Sequence, residues 1–280
     1  IEKRRWEHKY NSQGFREDEK PPQKDDTDHL VMGIGDSFTE GVGTHCDSTW
    51  LRFFEREINT RSNCKIRTFN AGAKGSDVFF EYLLLEKLLQ QYHPNTVVLC
   101  INSTDIDDII IKGGCKRFKK GGKLQFNSPP PWERLYAVSF IVRAIVHTVG
   151  SYDWTLLNLD EREVKTKEAV DSIGFMVHRF QQLAKEKNFH LVVAFHPREN
   201  EIVTNNFPLD SLAEKLALDT TLNVVNLKQR FAETGLITKN NASGYFWKYD
   251  LHHNAAGYKI MGDLIAKYMR SRGMLCTKHN

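Results

Sequence analysis

Leu30-Val31-Met32-Gly33-Ile34-Gly35-Asp36-Ser37-Phe38-Thr39-Glu40-Gly41 is the stretch that decides the fold. Its first half is a short apolar run without polar alternation, the pattern of a strand buried on both faces. Its second half is a turn, with glycine at 35, 41 and 43 letting the backbone bend tightly and approach a ligand. A serine set straight after such a strand is held where its hydroxyl can reach a substrate. Serine is a weak nucleophile until a base takes its proton, so the rest of the chain must supply one.

The supply lies near the other end. Tyr249-Asp250-Leu251-His252-His253-Asn254-Ala255-Ala256-Gly257-Tyr258 sets an acid beside two histidines, just before an amphipathic stretch. A carboxylate orients an imidazole, and the imidazole deprotonates a serine: that is the logic of the Ser-His-Asp triad. Acid and base would here come from one short loop.

These two blocks together resemble the SGNH/GDSL hydrolase superfamily, over roughly residues 30–268. The resemblance implies a flavodoxin-like three-layer α/β/α sandwich, a serine esterase activity and Ser37 as nucleophile. Asn70-Ala71-Gly72-Ala73-Lys74-Gly75-Ser76-Asp77 is similar to the family's second block, whose final glycine donates a backbone N–H to the oxyanion hole. That role falls on Gly75, beside the N–H of Ser37. Val97-Val98-Leu99-Cys100-Ile101-Asn102-Ser103-Thr104-Asp105 looks like the third block, a strand ending in Gly-x-Asn-Asp.

The third block departs from the pattern. The family's oxyanion asparagine aligns with Thr104 and its glycine with Asn102. A threonine hydroxyl donates but is short and free to rotate, and Asn102 is the alternative donor. Loss of one oxyanion donor costs about two to three orders of magnitude in turnover. In the family the histidine lies two residues before an asparagine and five before a glycine, which selects His252 against Asn254 and Gly257. An Asp-x-x-His spacing from Asp250 would select His253, kept as the fallback. His196-Pro197-Arg198 either lines the same cleft or merely ends its strand.

From residue 29 onward strand and helix alternate. Strand candidates are 30–35, 66–70, 96–101, 191–195 and 223–227, giving a central, mostly parallel five-stranded sheet of the α/β class. Between them, Ser48 is expected to cap a helix carrying Trp50, Phe53, Phe54 and Ile58, and Ser76 or Asp77 one running to Gln91. Residues 165–187 and 255–272 form two further helices. Ligands of such sheets bind beyond the carboxyl ends of the strands, where Ser37 and Asn102 emerge.

Residues 113–160 interrupt this rhythm as an insertion, with Gly113-Gly114, Gly121-Gly122, Pro129-Pro130-Pro131 and an apolar helix from Trp132 to about Val149. The first reading of that helix is an ordinary core element behind a long surface loop. The alternative is a lid or acyl-binding cap. Lys116-Arg117-Phe118-Lys119-Lys120 reads as a solvated hairpin tip, with contact to an anionic substrate or surface as the lesser reading. Residues 1–28 are polar and read as an extended arm, partly disordered, laid over the domain of 29–280. Within the arm, Tyr10-Asn11-Ser12-Gln13-Gly14-Phe15-Arg16 resembles a lead-in (Asn-Ser-x-Gly-Phe-Arg) found before the serine block in a subset of the family. Members of that subset often carry an anchor or export signal. That resemblance, with a start at Ile1 instead of methionine, implies a natural start lying upstream and an extracytoplasmic location.

With 280 residues, 40% of them hydrophobic, the chain can bury a sizeable core. No apolar run is long enough to span a membrane. The net charge of +4 comes from interleaved acids and bases, not the clustered footprint of a nucleic-acid binder. Five cysteines, at 46, 64, 100, 115 and 276, show no metal spacing. Mostly free thiols are expected, and no metal or organic cofactor. The glycines around Gly33 match neither a dinucleotide loop nor a P-loop. The expected partner is a small-molecule, glycan or lipid ester. An O-acyltransferase using the same acyl-enzyme, or a binding module descended from the fold, are the rivals. A binding module has no need of a complete triad.

Overall fold

The computed structural model describes residues 7–18, 29–62, 65–118, 124–125, 131–153 and 155–275. In chain order the elements are β1 (His29–Gly35), α1 (Ser37–Glu40), α2 (Trp50–Arg61), β2 (Ile66–Gly72), α3 (Val78–Leu88), β3 (Thr96–Asn102), α4 (Thr104–Lys112), α5 (Glu133–Val138), α6 (Phe140–Thr148) and α7 (Leu159–Lys187). There follow β4 (His190–His196), α8 (Glu199–Val203), α9 (Asp210–Ala217), β5 (Asn223–Asn226), α10 (Leu227–Thr234) and α11 (Ala255–Ser271). All five strand candidates are strands, each within two residues of its expected ends.

The sheet has the order β2-β1-β3-β4-β5 with every pairing parallel. The runs that form β1, β2, β3 and β4 are buried along almost their whole length, whereas the edge strand β5 is mostly half-buried. The pleat sends alternate residues to opposite faces. Val31, Val98, Cys100, Val192 and Ala194 join the core built with Trp50, Phe54 and Ile58 of α2 and Met261, Ile265 and Met269 of α11. Their neighbours Met32, Val97, Leu99, Val193 and Phe195 are equally buried on the other face. On that side the ring of Tyr82 in α3 meets Phe180 of α7 edge-on at 5.3 Å. Each fully buried aliphatic or aromatic side chain contributes about 1.5–3 kcal/mol, so a sheet covered on both faces is the natural product of these runs.

The chain crosses from β2 on one side of β1 to β3 on the other. The topological switch point of the sheet therefore lies at the carboxyl ends of β1 and β3. Ser37 follows the first of these ends and Asn102 closes the second.

Two helix starts differ in detail from the sequence reading. α2 is capped by Thr49, whose side chain accepts from the Arg52 N–H. Ser48 is spent in a short turn of 3-10 helix that precedes it. α3 is capped by Asp77, which accepts from the N–H groups of Phe79 and Phe80, but its regular part stops at Leu88. Turn hydrogen bonds carry the chain on to Tyr92.

The chain divides into two compact units, residues 1–103 with 176–280 and residues 104–175. The second unit corrects the core-helix reading of 132–149. The apolar stretch is broken at Ser139, which ends α5 and caps α6 through the N–H of Val142. No residue of either helix is buried. Within this unit Arg162 pairs with Asp107 and Asp153. Arg117, expected in a solvated tip, is buried with its guanidinium over the ring of Phe118. Lys119 and Lys120 lie outside the described residues, as do Cys64 and Cys276; Cys46, Cys100 and Cys115 are free thiols. Among the described residues no helix is long and apolar enough to cross a membrane.

Candidate active site

The turn that bears Ser37 is built from its backbone outward. Asp36 leaves β1 and caps α1, its Oδ1 accepting from the N–H of Phe38 at 2.9 Å. Its Oδ2 accepts from the side-chain amide of Asn102 at 2.9 Å, which ties the ends of β1 and β3 together. α1 lasts one turn and is closed by Gly41 at φ 85°, a left-handed conformation that favours glycine. Ser37 sits on the first residue of that turn, nearly buried.

Asp250 and His252 come from the loop before α11. His252 Nδ1 donates to Asp250 Oδ1 at 2.5 Å, and Ser37 Oγ lies 2.7 Å from His252 Nε2. With the proton on Nδ1 fixed by the carboxylate, Nε2 presents its lone pair and the serine hydroxyl donates to it. The structure thus brings Ser37, His252 and Asp250 into one hydrogen-bonded line across more than two hundred residues of sequence.

His253 is elsewhere. Its side chain is completely buried, with Nδ1 donating to the carbonyl of Tyr245 at 2.9 Å. Nε2 therefore carries a lone pair, and it accepts from His196 Nε2 at 2.8 Å. Phe246 stacks on the ring at 4.1 Å and Phe231 and Tyr258 approach edge-on. Burial pushes the His253 imidazole down to about 4, and burial beside His253 and His252 holds His196 well below the ordinary histidine value. The fallback register is corrected on these grounds: both His253 nitrogens are engaged under the site, away from Ser37. His196 Nδ1 is buried with no partner among the described residues. Of the two readings for His196, strand end or cleft residue, the structure gives a third. It ends β4 and supports the base loop from below.

The same loop is pinned elsewhere. Trp247 N–H donates to the carbonyl of His252, Trp247 Nε1 to that of Gly43, and Tyr258 Oη to that of Val42. Asn254 caps α11 through the N–H groups of Ala256 and Gly257. Leu251, between acid and base, has φ 65°, a conformation uncommon for a non-glycine residue.

Gly75 lies in the turn after β2, exposed and at φ 71°, so its backbone takes a form that a side chain disfavours. The turn is stitched to the end of β1: the N–H of Ala73 and the hydroxyl of Ser76 both donate to the carbonyl of Gly35. Glu40 provides a further tie that the sequence reading missed. Buried beneath the turn, it accepts from the N–H of Lys74 at 2.7 Å through Oε2 and from Tyr10 Oη at 2.6 Å through Oε1. Desolvation and the bond to Glu40 raise the Tyr10 hydroxyl to about 12. Glutamate next to the serine block, together with an aromatic hydroxyl in the lead-in, was the available signal. Asn102 directs its amide onto Asp36, and Thr104 is the first residue of α4.

The lead-in acquires a physical role. Asn11 Oδ1 accepts from the N–H groups of Gln13 and Phe15, closing a compact turn. Arg16 is buried and donates to the carbonyls of Gly41 and Thr44, fastening the loop that leaves the nucleophile turn. Glu17 accepts from the Asn70 N–H and pairs with Arg52. Residues 11–17 are thus turned and tied to the domain by polar groups.

Comparison with known proteins gives the fold and little sequence likeness. No protein-family model and no curated protein sequence matches the chain. Among solved structures, a putative lipolytic protein of the G-D-S-L family from Desulfitobacterium hafniense DCB-2 superposes at TM-score 0.51 and 16% identity, covering 86% of this chain and 99% of that one. An acetyl xylan esterase matches at TM-score 0.51 and 16% identity, over 87% of this chain and 98% of the other. A variant of an acetyl-xylooligosaccharide esterase from Geobacillus matches at TM-score 0.53 and 14% identity, over 86% of this chain and 94% of the other.

Proposed function

We propose that this chain, which has the α/β/α fold shared by the G-D-S-L lipolytic proteins and acetyl xylan esterases, is a serine esterase with Ser37 as its nucleophile. The observation that carries the reading is the line Asp250–His252–Ser37, with hydrogen bonds of 2.5 and 2.7 Å in the order a triad requires. In the proposed reaction His252 takes the Ser37 proton as Oγ attacks the ester carbonyl. Asp250 holds the imidazolium that forms. The tetrahedral oxyanion is met by the N–H groups of Ser37 and Gly75, with Asn102 or Thr104 as third donor. His252 then protonates the departing alcohol. A water deprotonated by the same imidazole attacks the acyl-enzyme, and collapse of the second tetrahedral intermediate frees the acid and Ser37.

Asp36 is a support in this scheme: both its oxygens already accept hydrogen bonds beneath the turn. Structural neighbours that act on acetylated xylan or its oligosaccharides make acetylated sugars the first substrates to try, with short acyl esters beside them.

The test is labelling with a fluorophosphonate, read by intact mass, on wild type and Ser37→Ala. One adduct in the wild type and none in the variant is expected. No adduct on folded wild-type protein would overturn the reading. If acyl-enzyme forms but water releases it slowly and a sugar acceptor quickly, the acyl-transfer alternative takes its place.

A further inference from the structure

In the second unit, residues 104–175, the helix pair leaves apolar side chains uncovered. α5 and α6 are joined by rings and polar groups, with Val142 and Val146 half-buried. Trp132 meets Tyr136 and Tyr152, Tyr136 Oη bonds His147 Nε2 at 2.7 Å, and His147 Nδ1 donates to the carbonyl of Tyr152 at 2.8 Å. Arg143 donates to the last carbonyls of α5, those of Tyr136 and Ala137. Outward lie aliphatic and aromatic side chains. Leu135, Val138, Phe140, Ile141, Ile145 and Val149 are 54–82% exposed. Ile141, Ile145 and Val149 recur every fourth residue, a stripe along one face of the helix.

A contiguous apolar stripe turned to solvent marks an interaction surface. Its surroundings say of what kind. From Gly113 to Val149 the sequence carries seven lysines and arginines against one acid, Glu133. The other acids of this unit lie outside that stretch, at 105–108 and 153–171. Lys116 and Arg134 are exposed among the described basic residues. Apolar side chains on a short amphipathic helix, set in a stretch of sequence with an excess of positive charge, are the two ingredients of binding at an anionic bilayer surface.

We infer that α5 and α6 dock this protein on the surface of a membrane containing anionic phospholipid. The stripe of Ile141, Ile145 and Val149 enters the acyl boundary, and the exposed Arg134 of α5 is drawn to the headgroups. The inference does not depend on the esterase reading, because every group it uses lies outside the Ser37 site.

The experiment is co-sedimentation of the full chain with vesicles of phosphatidylcholine alone and of phosphatidylcholine mixed with phosphatidylglycerol. Wild type and Ser37→Ala should both bind the mixed vesicles, bind neutral ones more weakly, and release as salt is raised. Ile141→Glu/Ile145→Glu should lower the partition coefficient by about tenfold or more, at an unchanged melting temperature, since both residues are exposed. Arg134→Glu should weaken binding to the mixed vesicles only. Absence of wild-type binding to the mixed vesicles would overturn the inference. So would equal binding by the double variant. A dimer seen by light scattering and lost in that variant, without vesicle binding, would assign the stripe to a second copy of the chain instead.

Discussion

The two halves of the candidate site are held in place by different means. Around Ser37 the supports are polar groups converging from four segments: the buried Asp36 and Glu40 of the turn itself, the buried Asn102 of β3, the backbone N–H of Lys74 after β2, and Tyr10 and the buried Arg16 of the lead-in. Around His252 the loop is partly open, with Tyr249 and Leu251 exposed, and its deepest anchor is the very next residue, His253. One half is fixed by many shared side-chain bonds, the other by one buried ring beneath the loop together with ties at Trp247 and Asn254. Damage to the first should therefore be local and graded. Damage to the anchor of the second should reach the whole fold.

The largest effects belong to the side chains where the halves meet. Ser37→Ala and His252→Ala should each lower kcat/KM on an activated acyl ester by about 10⁴-fold or more. The melting temperature should stay nearly constant. The double variant should be no worse than either single one, because the two act as a unit; additive losses would mean that they do not.

The neighbouring histidine should behave in the opposite way. His253→Ala removes a buried ring and leaves His196 without the acceptor for its Nε2 proton. Cavity and unmet donor together should cost about 3 kcal/mol in denaturant unfolding. His252→Ala should cost only a few tenths of a kcal/mol, as for other partly exposed positions. A reversed order would break the contrast between a partly exposed His252 and a buried anchor.

That contrast marks how far the sequence could be read. The strands were legible because continuous apolar runs buried on both faces leave few alternatives, and Ser37, Asp250 and His252 because each stands in a block of turn residues with fixed spacing. His196 was not legible: a polar residue at a strand end looks the same whether it meets solvent or another imidazole fifty-seven positions away. The choice of Thr49 over Ser48 turned on which hydroxyl lies at the extended residue before the helix, a matter of one ψ angle. The core-helix reading of 132–149 failed because hydrophobicity alone does not say which face of an apolar helix is covered. Ser139, which splits it, acts as a cap only once the chain turns there.

Acid tests the anchor without mutation. His253 falls to about 4 in the folded protein against an ordinary 6.5, so below pH 6.5 the unfolded chain takes up a proton that the folded chain refuses. Stability is then complete above pH 6.5, declines as pH falls toward 4 and levels off below. For this one group the loss between pH 7 and pH 5 is about 2 kcal/mol. His29, buried against Thr96 and likewise lowered to about 4, adds a loss of the same sign. Unfolding of His29→Asn at the two pH values isolates the part due to the pair under the site. A flat profile in that variant would mean the pair is hydrated.

The smallest effect should come from the well-supported half, through Glu40. Its two oxygens accept from Tyr10 and from the Lys74 N–H, one residue before Gly75. Glu40→Leu removes both acceptors, so neither bond survives. If the Lys74 bond aims the Gly75 N–H, kcat should fall about tenfold, less than outright loss of an oxyanion donor brings, and KM should change little. Tyr10→Phe removes the outer bond alone and should cost less than Glu40→Leu. A fall confined to KM would make the turn a binding surface. A fall in melting temperature with kcat intact would make Glu40 a support for the fold alone, because a misaimed donor is felt only when charge develops on the carbonyl oxygen.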